Sequence, residues 1–113
     1  MGLFNMGLHA NSGKISAAAA QQRIKSGESL ILLDVRTSDE YRQKRINGAK
    51  LIPVNELADR ALQELPDKAI PIIVYCYSGA RAKTAAKMLT HMGYTDVVNL
   101  GGIIDWPYET VSG

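Results

Sequence analysis

Ile70-Pro71-Ile72-Ile73-Val74-Tyr75-Cys76-Tyr77-Ser78-Gly79-Ala80-Arg81 is the stretch on which the fold turns. Its first half is a short apolar run with three β-branched residues in succession, the composition of a buried strand. That strand delivers Cys76 at its C-terminal end. Ser78 and Gly79 then break the pattern, and a helix is expected from Ala80 to about Met92. Ala82, Ala85, Ala86 and Leu89 fall at helical spacing on its inner face, and Gly93 ends it.

Upstream of this unit, Leu30 to Val35 is a second continuous apolar run of strand length, closing on Asp34. Continuous runs suit strands buried on both faces, as in parallel sheets. Ser38 is expected to cap a short helix reaching Lys44. Ala49 to Val54 reads as a strand interrupted by Pro53, and Asn55 opens a helix over 56–65 that Pro66 ends. Nearer the N-terminus, Ser16 caps a helix over Ala17 to Lys25, with Gly27 as its stop. Downstream, Asp96 to Leu100 is a short strand, Gly101 and Gly102 are expected to turn the chain, and Ile103 to Trp106 starts a last helix cut by Pro107. Alternating strands and helices with short links define an α/β class, with a central parallel sheet of about five short strands and helices on both faces. Ligands of such sheets sit beyond the carboxyl ends of the strands, where Cys76 lies.

The composition is that of one soluble globular domain: 113 residues, 46% hydrophobic and 21% charged. A formal charge of +2, with cations and anions interleaved, points to neither nucleic acid nor a membrane surface. No run approaches the roughly 18 apolar residues of a membrane span. One cysteine excludes an internal disulfide and Cys-rich zinc sites; no metal or cofactor is expected. A working thiol needs reducing surroundings, which gives a cytoplasmic expectation. Residues 1–14, with Gly2, Gly7 and Gly13, are expected as a loose N-terminal arm before a domain over 15–110.

Cys76 has a bland reading, a small buried hydrophobe, which is what most free cysteines are. Its neighbours argue otherwise. Ser78, Gly79 and Arg81 make poor core residues. A loop entering a helix gathers unpaired backbone NH groups into an anion-binding concavity, which stabilises negative charge on sulfur, and Arg81 adds a positive neighbour. Thiol phosphatases and arsenate reductases use a similar loop, but their arginine stands one position further on, where this chain has Ala82. The smaller ring suits one extra sulfur atom better than a phosphoryl group.

Three separate stretches carry a family resemblance: Asp34-Val35-Arg36-Thr37 with Glu40-Tyr41 and Asn47-Gly48-Ala49; the loop from Cys76 to Arg81; and Asn99-Leu100-Gly101-Gly102 with Asp105-Trp106. Together they resemble a single-domain rhodanese, the thiosulfate sulfurtransferase family, over Ile15 to Glu109. The resemblance implies a rhodanese-like fold and a catalytic Cys76 that cycles through a persulfide. It also implies substrate and persulfide binding by Tyr77, Ser78, Gly79, Ala80 and Arg81. The implied donor is thiosulfate or a persulfide. Without a second cysteine, the acceptor is external: cyanide, a thiol or a sulfur-relay protein. Where the family usually carries a histidine before Ile46, this chain has Arg45, and a packing or surface change is expected there. The alternatives are a non-catalytic rhodanese-like docking or regulatory module and, behind it, a thiol phosphatase or arsenate reductase. A monomer is the default.

Other chemistry-bearing residues read as structural. Asp34, Arg36 and Glu40 are expected to fix the loop after the first strand to the next helix. Trp106 is expected to cap the core. His91 sits where a cation complements a helix end, and His9 lies in the arm. Ser78 is open between donating to a bound anion and tying the loop to itself. Lys83 is open between adding positive potential to the pocket and simple solvation.

Overall fold

The structure is a computed structural model and describes residues 13–113. Four short parallel strands form the sheet: β1 (Ile31–Asp34), β2 (Lys50–Leu51), β3 (Ile72–Cys76) and β4 (Val97–Gly102), in the order β2-β1-β3-β4. Lys14 bridges in parallel to Asn99 of β4, so the chain before the first helix lies along the free edge of that strand. The expected arm lies, over residues 1–12, outside the described residues. No helix among the described residues is long and apolar enough to cross a membrane.

The helices are α1 (Ala17–Lys25), α2 (Ser38–Gln43), α3 (Leu57–Glu64) and α4 (Ala80–His91). The period of two along each strand divides the core into two halves. Ile72, Val74 and Cys76 face α3 and α4 together with Leu33, Leu57, Ala61, Ala82, Ala85 and Leu89. Ile73 and Tyr75 face the opposite side with Leu32, Ala20 of α1 and Trp106. Every residue of β3 is buried, as its continuous apolar run requires of a central strand. Small residues at 82 and 85 let α4 lie close on the sheet, which fixes where its N-terminus points.

Four local expectations are corrected. Thr37, not Ser38, caps α2: its hydroxyl accepts from the Glu40 amide while the Glu40 carboxylate accepts from the Thr37 amide, a capping box. The strand expected over 49–54 is cut to Lys50–Leu51, because Pro53 has no amide to donate and the chain winds directly into a 3-10 turn over Val54–Glu56. Gly101 and Gly102 do not turn the chain. They extend β4 past a bulge and pair with Tyr75 and Cys76. The last expected helix is a single 3-10 turn, Ile103–Asp105.

Candidate active site

Cys76 ends β3 with only 1% of its surface exposed. Its Sγ accepts a hydrogen bond from the Gly79 amide at 3.0 Å, so the chain curls back over the sulfur at once. Gly79 makes that curl with φ of +113°, a conformation that side chains rarely tolerate, and it stands at the N-cap of α4. No side chain caps this helix. The first amides of α4, those of Ala80 to Ala82, therefore lack both an intrahelical partner and a side-chain substitute, since the first intrahelical bond is that of Lys83 to Gly79. Tyr77, Ser78 and Ala80 are exposed and Arg81 is half-buried.

Gly102 supports the loop from beneath. A Cβ added there would lie 2.2 Å from the Tyr77 carbonyl oxygen and 2.6 Å from Ser78 Cα, so only glycine admits this approach. The Ile104 amide donates to the same Tyr77 carbonyl at 3.2 Å. The bulge of β4 positions this support, since a register shift at Val74/Tyr75 brings Gly102 opposite Cys76. In the sequence the glycine pair reads as a turn signal, and nothing local distinguishes the two uses.

Arg81 meets Glu40 in a bidentate pair, Nη1 to Oε1 at 2.8 Å and Nη2 to Oε2 at 3.1 Å, across 41 residues of sequence. The bond to Arg81 outweighs partial burial and, with Thr37, holds the Glu40 carboxyl down at about 2. Conversely, the bond to Glu40 pushes the Arg81 guanidinium up. Of the three residues expected to fix this loop, Glu40 pairs with Arg81, while Arg36 turns inward. It bonds Asp34 through Nε and Nη2, with Nη2 to Oδ2 at 2.7 Å, and donates to the Lys44 carbonyl at 2.6 Å. Burial opposes the Arg36 charge, but the hydrogen bonds and field of Asp34 prevail and push it up. Burial, followed by the charge of Asp34, pushes the Tyr75 hydroxyl up, and that hydroxyl accepts from the Ile46 amide at 3.1 Å.

Trp106 packs into the core on the α1 side. His91 is exposed at the end of α4, and His9 lies outside the described residues. Arg45 acts at the surface: its guanidinium lies 4.5 Å above the Tyr41 ring and donates to the Gly113 carbonyl, while its backbone pairs with Val111.

A buried thiol at an uncapped helix entry thus lies at the C-terminal edge of a parallel α/β sheet. The sequence model of the rhodanese-like domain matches residues 16–108. The thiosulfate sulfurtransferase PspE of Escherichia coli (strain K12) is 38% identical over 81 residues, covering 72% of this chain and 78% of that protein. Among solved structures, the Alr3790 protein from Anabaena sp. superposes with a TM-score of 0.81 at 30% identity, covering 87% of this chain and 91% of that one. A rhodanese with anions from E. coli gives a TM-score of 0.67 at 36% identity, covering 75% of this chain and all (100%) of that one. This chain belongs to the rhodanese-like domain family. Its relatives' names support a sulfurtransferase role.

Proposed function

We propose that the protein is a sulfurtransferase of the thiosulfate type, moving a sulfane sulfur through a persulfide on Cys76 with no cofactor. The observation that carries this reading is the contact of Cys76 Sγ with the Gly79 amide at 3.0 Å, in a loop whose helix has no side-chain cap. A backbone donor already turned toward the sulfur costs no reorganisation when charge arrives there.

In the first half-reaction the Cys76 thiolate attacks the outer sulfur of thiosulfate. A sulfur–sulfur bond forms to Cys76, the bond to the sulfonate sulfur breaks, and sulfite leaves with the electron pair. The outer sulfur of the persulfide then rests against the amides of Tyr77 to Arg81. Glu40 engages two of the five N–H donors of Arg81, so this residue contributes field and its remaining donors rather than a free guanidinium fork. In the second half-reaction an external nucleophile attacks the outer sulfur, and the pair returns to Cys76 as thiolate. Cyanide, a small thiol or a persulfide-relay protein can serve. A persulfide donor in place of thiosulfate uses the same loop. The reading carries with it a monomer in a reducing, cytoplasmic setting.

Intact-protein mass spectrometry before and after thiosulfate, beside Cys76→Ser, tests this. The wild type is expected to gain one sulfur that cyanide removes, and the variant none. If neither thiosulfate nor a persulfide donor loads the wild type, the domain is a docking module and the proposal fails.

A further inference from the structure

A groove of about 1230 Å³ runs beside the Cys76 loop, between α4 and the sheet edge formed by β4 and residues 13–15. It follows α4 from Ala80 to His91, about 18 Å at 1.5 Å per residue. Half-buried Ile15 and Ala86 contribute apolar surface, and exposed Lys14, Lys83 and Lys87 line it with positive charge. No Asp or Glu lines it. Among the described residues, none of these three lysines takes part in an ion pair.

Size and charge together select the occupant. The volume exceeds the roughly 300–1,000 Å³ of small-ligand pockets. Lys83 and Lys87 stand one helical turn apart, so a small dianion satisfies only part of the field. Residues 1–12 contain no Asp or Glu, so that segment of the chain offers the groove no complementary charge. Gly79 links groove to chemistry, because it lines the groove and its amide donates to Cys76 Sγ.

We propose that this groove docks an extended acidic segment of the protein that takes sulfur from Cys76, holding its reacting thiol at the loop. The proposal rests on the sulfur-transfer reading and names the partner for it. The docked thiolate attacks the outer persulfide sulfur, a bond forms between the two, and the bond to Cys76 breaks. Its electron pair stays on Cys76 as thiolate and the partner leaves as the persulfide. No oxidant or reductant is consumed.

The test uses protein preloaded with thiosulfate, freed of sulfite, and discharged by two synthetic peptides. One carries a run of glutamates beside a single cysteine, the other glutamines in their place. The acidic peptide is expected to discharge the persulfide about tenfold faster at low salt, an advantage that salt removes. Lys14→Gln with Lys87→Gln, checked for folding by circular dichroism, is expected to bring the ratio of the two rates near one, and each single change to give an intermediate ratio. Cyanide is the control. If cyanide removes no sulfur from the wild type, the sulfur-transfer reading itself fails. If cyanide works but the peptides react alike, or succinate at equal carboxylate concentration competes as well as the acidic peptide, the docking proposal is overturned.

Discussion

Two strand-to-helix loops leave the same edge of the sheet, one after β1 and one after β3, and they treat their backbone amides in opposite ways. After β1, the Val35 amide donates to Tyr75, the Arg36 amide to Asp34 and the Thr37 amide to Glu40, while Thr37 caps α2. After β3, the Gly79 amide meets a sulfur atom and α4 begins with no side-chain cap. The first loop is closed by its own side chains. The second keeps donors in reserve, and its shape is set by glycines and by contact with Gly102. On the proposed function, the same topology thus yields a structural corner and a chemical one, and the difference is whether the fold supplies its own acceptors.

The comparison breaks most visibly at the closed loop. Arg36→Leu leaves Asp34 buried without its cation, and unfolding in denaturant is expected to show a loss of about 3–5 kcal/mol. Both side chains are nearly inaccessible, 3% and 0% exposed, so solvent offers little relief. A loss below about 1 kcal/mol sinks the view that this pair closes the corner.

At the open loop the sensitive position is Gly102. Gly102→Ala drives a Cβ into the Tyr77 carbonyl and displaces the amides around Cys76. The rate of sulfur loading from thiosulfate is expected to fall about a hundredfold, the scale of an ångström-sized misplacement. Gly101→Ala meets no atom within 4 Å, although its φ of +95° strains any side chain, so its loading rate per folded molecule is expected to stay well above that of Gly102→Ala.

The smallest effect lies where the two loops are joined, at Glu40 and Arg81. The folded-state carboxyl of Glu40, at about 2, lies below its unfolded value of 4.5. Its contribution to stability is therefore complete above about pH 4.5 and is lost as pH falls toward about 2. Thermal unfolding of the wild type and Glu40→Gln across this range is expected to show a stability gap that closes with acid. A gap independent of pH means that the pair acts through packing rather than charge.

Much of this architecture was legible because it is written locally. The apolar run at 70–75 and the small residues at 82 and 85 specify a buried strand and the helix that covers it, and Cys76 follows at their junction. What was not legible depends on residues far apart in the chain. Glu40 carries no sign that Arg81 will reach it, and Arg36 looks equally available until the core claims it with Asp34. Gly102 looks like a turn residue because its reason for being glycine is the carbonyl of Tyr77, reached only once β4 bulges beside β3. Thr37 is a different lesson: its spacing to Glu40 is a capping-box signal present in the sequence, and the adjacent Ser38 obscured it.

The central claim is that the amides after β3 hold the charge of the outer sulfur, while those after β1 are already committed. Backbone amide chemical shifts before and after loading with thiosulfate test it most directly. The account predicts large shifts at Tyr77 to Arg81 that revert when cyanide is added, with the amides of Val35 to Glu40 little changed. Loading that leaves residues 77–81 unmoved, or that shifts both loops alike, contradicts it.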